Sequence, residues 1–257
     1  MNSIRLLLTA AILILIIGSG VLIMALTNNP EGTTTSRQTR PQDLPEIDLA
    51  VPSELATASF GLGCFWGPEA SFGVVEGVYR TRVGYAGGTK HNPSYHDLGD
   101  HTETVQVDFD PAIVSYEQLI IVFLDTHNPF APSWSRQYMS AVFFHNESQK
   151  ETAERVISDY QSKHTRTVQT RVLPVNEFYL AEDYHQKYLL QLNRQIMQEY
   201  NTIFSVFQDF VNSTSAARAN GFVTGKGSIE LLNSSLPLMG LSEQAQQVLR
   251  RAVARQK

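Results

Sequence analysis

The chain's single cysteine, Cys64, stands in Gly61-Leu62-Gly63-Cys64-Phe65-Trp66-Gly67-Pro68-Glu69, where a glycine-rich strand end turns toward a helical pattern. A thiol is a nucleophile only as thiolate, and unpaired backbone N–H groups at a helix start lower its pKa. Gly63 and Gly67 leave the backbone room for close approach, and Phe65-Trp66 beside a thiol makes a wall for something apolar. A lone cysteine is also a common core filler. Its glycine and aromatic neighbours argue for reactivity instead. Three polar clusters could serve such a thiol. Asn92-Pro93-Ser94-Tyr95-His96-Asp97-Leu98-Gly99-Asp100-His101-Thr102-Glu103 offers phenol, imidazole and carboxyl groups in one loop. Ser135-Arg136-Gln137-Tyr138 precedes a strand, and Glu182-Asp183-Tyr184-His185-Gln186-Lys187-Tyr188 opens a helix. Taken singly, each of these residues reads as a solvated or structural side chain.

Two other chemistries use the same residues. His91, His96 and His101 with Asp97 and Asp100 suggest a metal, but no helix puts two imidazoles on one face and no thiol pair exists. No metal or cofactor is expected. A cysteine hydrolase would acylate Cys64 with His101 or His185 as base. That leaves Phe65-Trp66 and the tyrosines without a role.

The elements that must position these groups alternate along the chain. Thr57–Leu62 reads as a strand into the cysteine turn, followed by extended segments at 74–85 and 104–109. Ser115 with Gln118 predicts a capped helix through Leu124, then come a strand at 139–144 and a polar helix at 146–163. A strand at 168–175 and one helix over 183–200 follow. Interleaved strands and helices predict a sheet covered by helices, an α/β or α+β sandwich. Beyond residue 210 no strand is predicted, a polar helix begins near Ser242, and residues 211–257 read as an extension packed at the periphery.

Ahead of this catalytic region, 54–210, residues 6–26 carry no charge and as a helix would measure about 31 Å, enough to span a bilayer. They predict a signal anchor and a single-pass membrane protein. Residues 27–53, polar and proline-containing, predict a flexible tether. Arg5 opposes Arg37 and Arg40, so the side of the membrane is open. A net charge of −5 argues against a nucleic-acid partner.

Gly63-Cys64-Phe65-Trp66-Gly67-Pro68-Glu69 resembles the signature of the A-type peptide methionine sulfoxide reductases. The resemblance continues through Arg82-Val83-Gly84-Tyr85-Ala86-Gly87-Gly88, Asn92-Pro93-Ser94-Tyr95, His101-Thr102-Glu103, Gln137-Tyr138 and Ala181-Glu182-Asp183-Tyr184-His185-Gln186-Lys187-Tyr188. It implies a two-layer α/β sandwich that reduces the S epimer of methionine sulfoxide, free or in proteins, without metal or flavin. By the same resemblance Cys64 is the nucleophile that ends as a sulfenic acid, and Glu103 is the acid that protonates the sulfoxide oxygen. Tyr95 and Tyr138 bind that oxygen, Phe65 and Trp66 receive the S-methyl group, and Tyr188 lines the far side. Many relatives carry resolving cysteines near the C-terminus, and this chain has none. An external thiol, from thioredoxin or from glutathione with glutaredoxin, must then recycle Cys64. Several relatives have an aspartate where Ser133 stands, and the loop from Tyr95 to Glu103 is shorter than in many. These departures leave a second reading, a binding module that holds oxidised methionine peptides without turnover.

Overall fold

The computed structural model describes residues 44–255. The predicted anchor at residues 6–26 lies outside them, and among the described residues no helix is long and apolar enough to cross a membrane. In chain order the elements are α1 (Glu46–Leu49), β1 (Ala56–Leu62), α2 (Trp66–Gly73), β2 (Val78–Ala86), β3 (Thr102–Phe109), α3 (Tyr116–Thr126), β4 (Ser140–Phe144) and α4 (Glu147–Ser162). They continue with β5 (Arg171–Pro174), β6 (Phe178–Leu180), α5 (Tyr188–Gln191), α6 (Arg194–Ile203), α7 (Phe207–Val211), α8 (Thr214–Phe222), α9 (Ile229–Ser235) and α10 (Glu243–Ala254).

The strands form one sheet in the order β5-β4-β1-β3-β2-β6, antiparallel throughout except for the parallel pair β4 and β5. Alternation along each strand decides its two faces. Ala58, Phe60 and Leu62 of β1 and Val142 of β4 join Phe72 of α2, Phe123 of α3 and Val156 of α4 in one core. Phe60 stacks on Phe72 at 5.0 Å and on Phe123 at 5.4 Å, which fixes α2 and α3 over β1. On the other face Ala86, Met139, Ala141 and Phe143 pack with Leu173 and Phe178. The start of α3 is the capping box that the sequence predicts, with Gln118 N–H donating to Ser115 Oγ at 3.2 Å and Ser115 N–H donating to Gln118 Oε1 at 2.7 Å.

Three expectations need correction. The helix predicted over 183–200 is broken into a 3-10 turn at Asp183–His185, α5 and α6, with Lys187 between them at φ 50°. That left-handed residue turns both its backbone N–H and its ammonium onto Glu69 of α2, at 2.8 and 2.9 Å, which a continuous helix could not do. The tether predicted over 27–53 ends earlier than expected, because α1 forms at its C-terminal end. Asp48 of α1 accepts the Ser213 hydroxyl at 2.7 Å and the N–H groups of Thr214 and Ser215 at 2.6 and 3.1 Å, capping α8.

The segment expected at the periphery after residue 210 contains the most buried helix described. All nine residues of α8 are buried. It lies against α2, where a Cβ on Gly73 would stand 2.3 Å from the Ala217 carbonyl oxygen. The buried Arg218 guanidinium donates to the carbonyls of Gly73, Val75 and Val78 at 2.8, 2.7 and 3.1 Å. Helices α5 to α10 share a second core that includes Tyr200, Phe210, Phe222 and Leu249. The chain after β6 thus buttresses the helix that follows Cys64.

Candidate active site

The strand β1 ends at Leu62, Gly63 turns the chain at φ 88°, and α2 begins at Trp66. A side chain at position 63 would be strained at that angle, which accounts for the glycine. Cys64 is exposed and lies two residues ahead of α2. Burial of part of its surroundings pushes the thiol pKa up, the Trp66 N–H pulls it down, and the charge of Glu103 pushes it up again. The net direction is upward. The helix start contributes the predicted lowering, but it is outweighed by desolvation and the neighbouring carboxylate.

Glu103 sits in β3 and is 1% exposed. Its Oε2 accepts the Phe65 N–H at 3.1 Å and its Oε1 accepts the Gln137 side-chain amide at 2.8 Å, while its own N–H donates to Gln137 O at 2.9 Å. Burial raises the carboxyl pKa against the lowering effect of these two donors. A carboxyl so placed keeps its proton at higher pH than a solvated one and can act as an acid. Gln137 reaches the site two-handed, and the sequence gives no signal for that role beyond its place beside Tyr138.

Two phenols face the same space. Burial of Tyr138, with the Tyr95 phenol and the nearby Glu103 and Cys64, pushes its pKa up to about 12. It remains a donor throughout the neutral range. Tyr95 is fixed from behind, its N–H donating to Glu182 Oε1 at 2.9 Å and its ring 4.8 Å from that of His185. The Tyr85 hydroxyl donates to Glu182 Oε2 at 2.7 Å, so one carboxylate ties β2, the Tyr95 loop and the segment after β6 together.

Phe65 is buried, with His185 edge-on at 5.1 Å and Tyr85 tilted at 6.2 Å. Trp66 is half-buried, stacked on Tyr188 at 3.7 Å with 11° between planes, and its indole N–H donates to His185 Nδ1 at 3.1 Å. Burial holds the His185 pKa below the usual range, so the neutral ring carries its proton on Nε2. These contacts orient the aromatic wall. They also remove His185 from any role as base toward Cys64. His101 is equally occupied: its Nδ1 accepts the Gly88 N–H at 3.2 Å and its Nε2 donates to the Lys90 carbonyl at 2.7 Å, closing the loop. The hydrolase reading thus loses both candidate bases. Among the described residues no group of three His, Cys, Asp or Glu side chains could hold a metal ion.

Ser133, where several relatives have aspartate, donates to the Tyr138 carbonyl at 3.0 Å and accepts the Ser140 N–H at 3.2 Å. It shapes the turn before β4 and sends no hydrogen bond toward Glu103. Beneath the whole site Lys187 and Glu69 form a fully buried pair, with Thr81 Oγ1 donating to Glu69 Oε1 at 3.2 Å and Lys187 Nζ donating to the Val211 carbonyl at 2.9 Å. The partners are 118 residues apart, a pairing that no local pattern could reveal.

The constellation is a thiol, a proton-holding carboxyl, two phenols and an aromatic wall, gathered from β1–α2, β3, the two loops and α5. Comparison with known proteins agrees. The family profile described as peptide methionine sulfoxide reductase matches residues 56–218. A peptide methionine sulfoxide reductase of Drosophila melanogaster is 37% identical over 189 residues, covering 73% of this chain and 76% of that protein. The MsrA peptide methionine sulfoxide reductase of Rippkaea orientalis is 44% identical over 151 residues, covering 54% of this chain and 70% of that protein. Among solved structures, reduced Mxr1 of Saccharomyces cerevisiae aligns with a TM-score of 0.50 at 26% identity, covering 56% of this chain and 89% of that one. The chain belongs to the peptide methionine sulfoxide reductase family and reduces methionine sulfoxide.

Proposed function

We propose that Cys64 and Glu103 divide this reduction between them. The Cys64 thiolate attacks the sulfoxide sulfur of the S epimer while Glu103 gives its proton to the sulfoxide oxygen, which is a poor leaving group until protonated. Tyr95 and Tyr138 donate hydrogen bonds to that oxygen as charge gathers on it. Phe65 and Trp66 receive the S-methyl group, with Tyr188 behind Trp66. The oxygen passes to Cys64, methionine leaves, and Cys64 remains as a sulfenic acid. Two electrons from an external thiol, of thioredoxin or of glutathione with glutaredoxin, then return it to the thiol with loss of water.

The observation that carries these roles is the buried Glu103 carboxyl, held by Phe65 N–H and Gln137 within the electrostatic reach of Cys64. Nothing in this geometry favours the reading as a non-catalytic binder. Supplied with dithiothreitol and a peptide containing both sulfoxide epimers, the protein should consume the S epimer alone, and Cys64→Ser should stop it. Dimedone should label Cys64 in the parent after substrate is added without thiol. Turnover by the serine variant, or no adduct on Cys64, would refute the assignment.

For the N-terminal part we further propose a membrane anchor at residues 6–26 with the enzyme held off the bilayer by the polar residues that follow, on a side of the membrane that the charges do not decide. The uncharged run supports it. Full-length chain should remain with membranes in alkaline carbonate, and its release would count against an anchor.

A further inference from the structure

A cavity of about 380 Å³ opens beside Cys64 and shares only Cys64 and Tyr138 with the groups assigned to the reduction above. Cys64, Leu62, Ala131, Pro132, Trp134 and Tyr138 form much of its wall, whereas Phe65, Trp66, Tyr95 and Glu103 do not line it. Cys64 and Tyr138 therefore stand on the boundary between the sulfoxide site and a second groove. Trp134 is 81% exposed, its ring 4.8 Å from that of Tyr138, on a loop of exposed residues from Ala131 to Trp134. No Lys, Arg, Asp or Glu lines the groove. Its one imidazole, His127, is engaged on both sides, with the Phe123 carbonyl at 2.8 Å and Ser140 Oγ at 2.8 Å, and burial holds its pKa low.

We propose that this groove docks the protein that delivers the recycling thiol, a dithiol protein presenting its cysteine on an uncharged apolar surface. The inference rests on the sulfenic acid reading of Cys64. With one cysteine in the chain, the reducing thiol must come from outside. Displacement at divalent sulfur runs in line, so the attacking sulfur must reach Cys64 Sγ from the side away from the departing oxygen. That oxygen is held by Glu103, Tyr95 and Tyr138, which leaves the Trp134 side for the attacker. Its thiol proton and the Cys64 hydroxyl leave as water while the S–S bond forms. The partner's second thiol then attacks its own sulfur, breaks the mixed disulfide, and returns Cys64 as thiol with the partner oxidised.

Charge chooses between the two sources of thiol. Glutathione carries two carboxylates and an ammonium, and the groove offers none of them a counter-charge. An uncharged protein loop is matched instead by Pro132, Ala131 and Trp134. An exposed tryptophan at the rim of a cavity is the kind of side chain that dominates a protein interface.

The test compares reductants on the full chain with one peptide sulfoxide substrate. Trp134→Ala should raise the KM for thioredoxin, kept reduced by its reductase and NADPH, by roughly tenfold or more. Its rate with dithiothreitol and its KM for the peptide should match the parent's. Ala131→Glu, which brings a charge to the groove, should act the same way, with thermal unfolding confirming that both variants are folded. A thioredoxin whose second cysteine is serine should be trapped on Cys64 by the parent and less by either variant. An unchanged thioredoxin KM in both variants overturns the proposal. So does an increased peptide KM with dithiothreitol, which would make the groove a site for the substrate chain, and so does recycling by glutathione alone that outpaces thioredoxin. Failure of the parent to turn over with dithiothreitol is a different result, which removes the catalytic reading itself.

Discussion

Replacing Glu103 by Gln should move two measurements in opposite directions. The amide has nearly the carboxyl's shape, and its oxygen can still accept either the Phe65 N–H or the Gln137 amide, the two donors that hold Glu103 at 3.1 and 2.8 Å. What it lacks is a proton to give. Loss of a general acid costs about 10² to 10⁴ in rate, or roughly 2.7 to 5.4 kcal/mol of barrier. The same change removes a negative charge that raises the Cys64 pKa. In the Glu103→Gln protein the free thiol should therefore ionise at lower pH and react faster with iodoacetamide near neutrality, while sulfoxide reduction collapses. The active form of the parent needs Cys64 without its proton and Glu103 with one, an arrangement that competes with thiol and carboxylate. Rate should rise with pH up to the raised pKa of Glu103, level off while growing Cys64 thiolate offsets the loss of the Glu103 proton, and fall once pH passes the raised pKa of Cys64. The variant should keep the rising limb and lose the falling one. Dithiothreitol-driven methionine formation and alkylation rates, each followed over pH on the same preparations, supply both profiles. A loss of less than about tenfold, ~1.4 kcal/mol, would show that Glu103 does not supply the proton. A slower alkylation would show that its charge does not act on Cys64.

Tyr138→Phe removes one of two donors to the developing oxygen charge and should lower kcat by about 10² while changing KM little, measured in the same assay. Lys187→Met leaves the Glu69 carboxylate buried without its cation, a change that costs about 3–5 kcal/mol and, at 2–4 °C per kcal/mol, should lower the melting temperature by roughly 6–20 °C. Adding Glu69→Leu to that variant should restore most of the loss, and a calorimetric scan that shows no recovery would count against a desolvated pair. Gly73→Ala forces a methyl toward the Ala217 carbonyl, 2.3 Å from the ideal Cβ position, and should destabilise by about 1–3 kcal/mol in denaturant titration as α8 is pushed off α2.

The chemistry was legible where it is local. Gly63, Cys64, Phe65 and Trp66 are consecutive, so one turn declares nucleophile and wall together, and Ser115 with Gln118 announces α3 because a cap is a four-residue device. The strands could be read since one buried face leaves a period of two. What escaped depends on pairs distant in sequence or on helices without a stripe. α8 is Thr-Ser-Ala-Ala-Arg-Ala-Asn-Gly-Phe, buried all round, and a helix packed on every side shows no polar face to reveal it. Tertiary demand broke the predicted helix at Lys187, since only a left-handed residue there brings both N–H and ammonium to Glu69. The raised thiol pKa was hidden for a similar reason: the helix start is visible beside Cys64, but the Glu103 charge that opposes it comes from 39 positions away on another strand.

The two sides of Cys64 are built differently, and this bears on what each can tolerate. On the oxygen side the carboxyl, the Tyr95 phenol and the wall are fixed across the fold: Glu103 to the Phe65 backbone, Trp66 to His185, Tyr95 to Glu182, and α2 from below by Lys187 and Arg218. Preorganisation of that kind is what a transition state with charge moving onto oxygen requires, because donors that must reorient return much of what they contribute. On the Trp134 side Ser133 closes a turn onto Tyr138 and Ser140, and only the exposed stretch from Ala131 to Trp134 lies ahead of Arg136 and Gln137, which bond to Gly87, Asp100 and Glu103. Changes confined to Ala131, Pro132 and Trp134 can alter which molecule reaches Cys64 while leaving Gln137 on Glu103 and Tyr95 on Glu182. A site divided in this way can keep one reaction at the sulfoxide while its access for reductants is set separately.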